Sequence, residues 1–217
     1  MKYRLVIFDW DGTVMDSAAK IVKCMQLAAI DCGLDVPTKS AVENIIGITL
    51  APAIQRLFAL EDIELTQQIV ERYKHHYVQE DSTPCPLFPG ILPLFSALHD
   101  ADCTLAVATG KARRGLNRAW SQTNTGEFFR FSRCADEAES KPSPDMLKQI
   151  LEVSGFAVQD AVMIGDTTYD MQMAETLGMD RIAVDYGVHE RHKLQVHNPV
   201  FIAESVAELH QFLLQAD

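Results

Sequence analysis

The stretch Leu5-Val6-Ile7-Phe8-Asp9-Trp10-Asp11-Gly12-Thr13-Val14 restricts the folds open to this chain more than any other. A run of branched and aromatic residues ends on two carboxylates separated by one residue, then on a glycine and a threonine. Such a run, bounded by a turn signal, reads as a strand buried on both faces of a parallel sheet. Open α/β sheets place their ligand crevice at the carboxyl ends of their strands. Taken alone, Asp11-Gly12 is a common turn dipeptide and needs no further reading. Buried charge, however, costs several kcal/mol unless it is paired or metal-bound, so the two aspartates ask for partners elsewhere in the chain.

The charge balance argues against nucleic acid or an anionic membrane as the main partner. The chain has 19 Lys+Arg against 30 Asp+Glu, a formal charge of −11, and both partners demand a basic footprint. An anionic substrate would need a local positive centre or a cation. No apolar run approaches the roughly 18 residues of a spanning helix, and Met1 leads into the first strand without a signal-peptide core, so a cytoplasmic protein is expected. The cysteines at 24, 32, 85, 103 and 134 form no CxxC pair, which predicts reduced structural thiols.

The sequence predicts an all-helical block over residues 15–85. Ala18, Ile21, Val22, Met25, Ala28, Ala29 and Cys32 recur at helical spacing, with Asp16 or Ser17 as cap and Gly33 as stop. Further helices are expected from Pro37-Thr38 to near Gly47, over 51–60 and over 66–80, before Pro84, Pro86 and Pro89-Gly90 punctuate the chain. Strands and helices then alternate. Strands are expected at 104–108, 131–134, 161–164, 181–184 and 200–202, and helices at 91–99, at 112–122, from Pro144 with Ser143 as its cap, and from the capping-box pattern Ser205-x-x-Glu208. This order predicts an α/β protein, a three-layer Rossmann-like core with a parallel sheet, formed by 1–14 and 86–217 and carrying an all-helical cap domain over 15–85.

Several of these strands end on polar residues along one sheet edge: Asp9 and Asp11; Thr109 with Lys111; and Asp166 with Asp170. Lys141 lies on a nearby loop. Carboxylates meeting at one crevice repel. A hard divalent cation such as Mg²⁺, which takes oxygen ligands from a few carboxylates, water and substrate phosphate, resolves that repulsion. The lysine and threonine then suit phosphoryl oxygens, and the set defines phosphoryl-transfer chemistry.

Asp9-x-Asp11-Gly12-Thr13, Thr109, Lys141 and Gly165-Asp166-x-x-x-Asp170 resemble the four ordered motifs of the haloacid dehalogenase-like hydrolases. The helical insertion resembles the cap of the phosphoglycolate phosphatase-like and β-phosphoglucomutase-like branch. The resemblance implies a Mg²⁺-dependent phosphatase of small phosphate monoesters that works through an aspartyl-phosphate. Asp9 is then the nucleophile. Asp11 is the acid and base, and its backbone carbonyl joins Asp9 and Asp166 as metal ligands. Asp170 binds the metal directly, binds it through water, or orients Lys141. Thr109 and Lys141 stabilise the transferring group. Thr13 holds the nucleophile loop or the phosphate, a Gly110 amide serves a phosphate oxygen, and Gly47 lies in a substrate-specificity loop.

The expected partner is a small phosphorylated metabolite. Alternatives are a sugar-phosphate mutase or a pyrophosphatase. A metal-free dehalogenase is disfavoured by Asp11 and Asp166, and a non-catalytic binding protein by the intact nucleophile and lysine. The trio His189, His192 and His197 and the acidic run Asp136, Glu137, Glu139 read as solvated loops, and His75-His76 as a pair that faces solvent or a partner. Lys111 reads as meeting either substrate or solvent.

Overall fold

A computed structural model describes residues 2–215. The first strand, β1 (Leu5–Phe8), is buried along its whole length. It pairs in parallel with β2 (Thr104–Ala108) on one side and β4 (Ala161–Gly165) on the other, so that Ile7 lies opposite both Ala106 and Met163. β3 (Phe129–Arg133), β5 (Asp180–Val184) and β6 (Phe201–Ala203) complete a six-stranded sheet in the order β3-β2-β1-β4-β5-β6. The strand order reverses at β1, which opens a crevice between the carboxyl ends of β1, β2 and β4.

Strand periodicity explains the three layers. Val6 and Phe8 face α5 (Ile91–Asp100) and α10 (Val206–Gln215), packing with Leu94, Phe95, Leu98 and Leu209. Leu5 and Ile7 point the other way, onto Met146, Leu147 and Ile150 of α7 (Asp145–Ser154) and Met173 of α8 (Thr168–Thr176). Each such side chain contributes about 1.5–3 kcal/mol by leaving water. The remaining core helices are α6 (Arg113–Thr123) and the short α9 (Arg191–Gln195).

Between β1 and α5 lie α1 (Ala18–Asp31), α2 (Lys39–Glu43), α3 (Leu50–Phe58) and α4 (Ile63–His75), the last running into a π-helical turn at His76–Glu80. They share their own apolar cluster, built on Ile21, Met25, Ile54, Ile69 and Val70. The two chain segments that join this bundle to the sheet run side by side: the Asp16 amide donates to the Pro86 carbonyl (2.8 Å) and the Phe88 amide to the Val14 carbonyl (3.0 Å).

Local capping departs from expectation in three places. Ser17 occupies the cap position of α1 but makes no capping bond, because its hydroxyl is used on Asp11. Helix α7 begins at Asp145 rather than Pro144; Ser143 Oγ accepts the Asp145 amide (3.3 Å) and donates to Glu139 (2.8 Å). Helix α4 begins at Ile63 instead of 66, since Asp62 Oδ1 accepts the Leu65 amide (3.0 Å). All five cysteines are free thiols.

Candidate active site

Alternation carries past the end of β1. Trp10 is fully buried, against Trp120 and Phe129 on the sheet's inner side, and this turns Asp9 and Asp11 into the crevice. Gly12 then adopts φ +86°, and a Cβ there would lie 2.2 Å from Asp166 Oδ2. A Cβ on Gly187 would stand 2.1 Å from the Asp166 Cβ. The Asp-Gly turn is therefore also a steric requirement, because Asp166 fits only between two residues without side chains.

Asp9, Asp166 and Asp170 bring carboxylate oxygens within 4.8 Å of one another, all buried. Lys141, with no exposed side-chain surface, lies 2.8 Å from Asp9 Oδ1 and 2.6 Å from Asp170 Oδ1. Three carboxylates and one ammonium leave an excess of negative charge in a dry site. Burial accordingly drives Asp9 well above the usual carboxylate range, with the charges of Asp170 and Asp166 adding to the rise against the pull of Lys141. Asp166 is pushed up to about 7, first by burial and then by Asp170, against the Val188 amide and the Thr13 hydroxyl. Lys141 is held charged: burial opposes its ammonium, but Asp170 and Asp9 outweigh burial and raise it. Deleting this lysine would strand two buried carboxylates, a loss of about 3–5 kcal/mol.

The individual oxygens have different assignments. Asp166 Oδ1 accepts from Thr13 Oγ1 (2.8 Å) and Oδ2 from the Val188 amide (2.9 Å). Asp170 Oδ1 takes Lys141, while Oδ2 accepts from the Thr167 amide (3.1 Å) and hydroxyl (2.6 Å) in a capping box that starts α8. Both Asp170 oxygens, like both Asp166 oxygens, thus accept from protein donors. Asp9 Oδ2, in contrast, is buried with no hydrogen-bond partner among the described residues. An orphaned carboxylate oxygen beside a second, rigidly held carboxylate fits a hard divalent cation.

On the other side of the crevice, Thr109 is 1% exposed; its Oγ1 accepts the Lys111 amide (3.2 Å), leaving the O–H hydrogen without an acceptor among the described residues. Asp11 is held apart from the acidic cluster. Ser17 Oγ donates to its Oδ1 (2.5 Å), and Lys111 Nζ bridges both its oxygens (2.8 and 2.7 Å). Gly47 (φ +101°) stands in the turn between α2 and α3, so close to Gly110 that a Cβ on the latter would lie 2.5 Å from the Gly47 carbonyl oxygen. Asp9, Asp11, Gly47, Thr109, Gly110 and Lys111 all border one cavity of about 780 Å³ between the helical bundle and the sheet.

The structure thus gathers Asp9, Asp11, Thr109, Lys141, Asp166 and Asp170 at one crevice. It engages the Thr13 hydroxyl on Asp166. Lys111, open between substrate and solvent in the sequence, is largely buried on Asp11. Other surface expectations are corrected. His189 is buried, with Nδ1 accepting the Thr168 amide (3.0 Å), and burial lowers its proton affinity. His76 is buried between Asp31 (2.7 Å) and Glu80 (2.5 Å), leaving His75 on the half-exposed side with Glu80. Within the acidic run, Glu137 pairs with Arg113 (2.6 Å) and Asp136 Oδ1 accepts the Arg113 amide (2.8 Å), so these two order the start of α6. Ser17 and Thr167 were missed. Thr167-x-x-Asp170 is a capping-box spacing that would have flagged Thr167, whereas nothing local to Ser17 points to Asp11.

Comparison with known proteins gives a consistent picture. The family model described as haloacid dehalogenase-like hydrolase matches residues 6–184. A probable phosphatase, IndB, from Dickeya dadantii is 30% identical over 210 residues, covering 94% of this chain and 91% of that protein. A phosphoglycolate phosphatase from Agrobacterium fabrum is 29% identical, covering 94% and 89%. A solved haloacid dehalogenase-like family hydrolase from Streptococcus pneumoniae superimposes with a TM-score of 0.84 at 22% identity, covering 98% of this chain and 99% of that one. No helix among the described residues is long and apolar enough to cross a membrane.

Proposed function

The chain belongs to the haloacid dehalogenase-like hydrolases, and from that premise we propose that it is a Mg²⁺-dependent phosphatase hydrolysing a small phosphate monoester through an aspartyl-phosphate on Asp9. The observation that carries this reading is the buried set Asp9, Asp166 and Lys141, with Asp9 Oδ2 left without a partner. Phosphoglycolate phosphatases among its relatives support a small, charged substrate.

Asp9 attacks phosphorus, forming a carboxylate–phosphorus bond as the bond to the leaving oxygen breaks. Asp11 protonates that oxygen, then takes a proton from the water that attacks the aspartyl-phosphate, returning free phosphate and Asp9. Lys141 and the Thr109 hydroxyl compensate the charge on the transferring oxygens. Asp9, Asp166 and the Asp11 carbonyl would hold Mg²⁺, which supplies neutralisation of the phosphate's negative charge. Asp170 acts by fixing Lys141 and the start of α8. Residues 15–85 form a cap that closes over this site, with segments 14–17 and 84–89 as its hinges.

Release of phosphate from 4-nitrophenyl phosphate tests the proposal. Turnover is expected to rise with Mg²⁺, to vanish with a chelator and to fall at least about a thousandfold in Asp9→Asn. Metal-independent turnover, or an active Asp9→Asn enzyme, contradicts it.

A further inference from the structure

The cavity beside Asp11 has two unlike walls. On the sheet side stand Asp9, Asp11, Thr109 and Lys111; on the other, the apolar core of the helical bundle comes to the surface. Ile46 and Val70 border the cavity from within that core, and the half-buried Ile48 and Leu50 extend it along the turn into α3. Tyr73 and Tyr77, with ring centres 5.7 Å apart, form the part of this wall nearest the acid. Lys111 Nζ, which bridges both Asp11 oxygens, lies 5.3 Å from the Tyr77 ring centre. The apolar wall therefore stands on the side of the crevice where Asp11 meets the leaving oxygen. An apolar patch rimmed by polar groups in a concave site marks a ligand-binding surface. The cavity, about 780 Å³, is also far larger than a two-carbon phosphate ester. The cation nearest the leaving oxygen, Lys111, is already neutralised by Asp11, while Arg114 is exposed and Arg118 partly so.

We propose that this wall is the leaving-group subsite, and that the preferred substrates are phosphate monoesters of alcohols with an uncharged, apolar body, the phosphate being their only charged end. The proposal rests on the phosphatase reading and names its substrate class. Asp9, Thr109 and Lys141 take the phosphoryl group, and the remainder of the substrate lies under the bundle. Burial against Ile46, Ile48, Leu50 and Val70 contributes affinity of up to about fourfold per methylene. The Tyr73–Tyr77 pair adds aromatic surface beside the ester oxygen. A carboxylate in the same place would lose its hydration against aliphatic side chains, with no free cation beside it.

The test compares kcat/KM for ethyl, butyl and hexyl phosphate, whose leaving alcohols have similar acidity, with 2-phosphoglycolate as the charged two-carbon ester. From ethyl to hexyl the value should rise at least about twentyfold, within the limit of about fourfold per added methylene, and phosphoglycolate should fall below hexyl phosphate. A flat alkyl series, or phosphoglycolate above hexyl phosphate, overturns the proposal. Ile48→Asn and Leu50→Gln should each cut the hexyl-to-ethyl ratio severalfold, and Leu50→Met should keep it. Each ratio is measured within one preparation, so a loss of folded enzyme cancels from it. A ratio unchanged in both polar variants overturns the proposal. Calorimetry with alkylphosphonates and Mg²⁺ separates its failure from that of the phosphatase reading. Hexylphosphonate should bind at least about tenfold tighter than ethylphosphonate, with a more negative heat-capacity change, the mark of apolar burial, and Leu50→Gln should shrink both differences. Equal affinities overturn the subsite even if the esters are turned over; absent turnover with the affinity difference intact overturns only the phosphatase reading.

Discussion

Asp166 concentrates the electrostatics of the site in one side chain. Burial and Asp170 hold its carboxyl near 7, about three units above the ordinary value for aspartate. A metal ion requires the ionised form, so proton and Mg²⁺ compete for it. Below about pH 7, Mg²⁺ affinity should weaken by up to tenfold per pH unit, and above it affinity should level off; calorimetry in buffers of different ionisation enthalpy measures the proton released. The same shift sets the stability of the metal-free protein. The folded state binds more protons than the unfolded state between about pH 4 and 7, so stability contributed by this group is present at low pH and is lost as pH rises through 7. Adding Mg²⁺ at pH 8 should restore the thermal midpoint. A metal-free midpoint that climbs from pH 5 to 8, with Mg²⁺ affinity flat over that range, would contradict this assignment. Most of these residues announced themselves in the sequence by type and order. The division of labour between them did not, because it depends on which oxygen meets which donor: Thr13 on Asp166, and Thr167 with Lys141 on Asp170.

At the scale of elements, the turn between α2 and α3 is where the helical bundle meets the sheet. Tyr169 Oη donates to the Asn44 carbonyl (2.7 Å), Lys193 Nζ to Asn44 Oδ1 (3.3 Å), and the Thr49 amide to Ser140 Oγ (3.0 Å). These are few, polar contacts at the mouth of a large cavity, the kind a substrate-gated closure makes and breaks. Binding of orthovanadate with Mg²⁺ should slow amide exchange across 44–49 and change it in segments 14–17 and 84–89. Exchange that is identical with and without the mimic in all three segments would argue for a fixed entrance. The helices on either side were readable from their apolar spacing. This contact was not, since Tyr169 and Asn44 lie 125 residues apart and neither belongs to a periodic pattern. Buried His76 and His189 escaped for the same reason: each is satisfied by groups from other elements, Asp31 and the Thr168 amide.

For the molecule as a whole, strand order does the positioning. The reversal at β1 brings the ends of β1, β2 and β4 together, so residues 9, 109, 141 and 166, distant in sequence, share one crevice. The alternation of short apolar runs with helices was enough to anticipate a parallel three-layer sheet, and the acidic strand ends to locate its working edge. The pairing of Lys111 with Asp11, 100 residues apart, emerges only once β1 and β2 stand side by side. The central claim is that Asp9 itself carries the phosphoryl group. Acid quench of the enzyme during turnover of a ³²P-labelled phosphate monoester, followed by peptide mapping, tests it most directly. The label should be found on the peptide containing Asp9, require Mg²⁺ and be absent from Asp9→Asn. Steady phosphate release with no protein-bound label, or label on another residue such as His189, would contradict it.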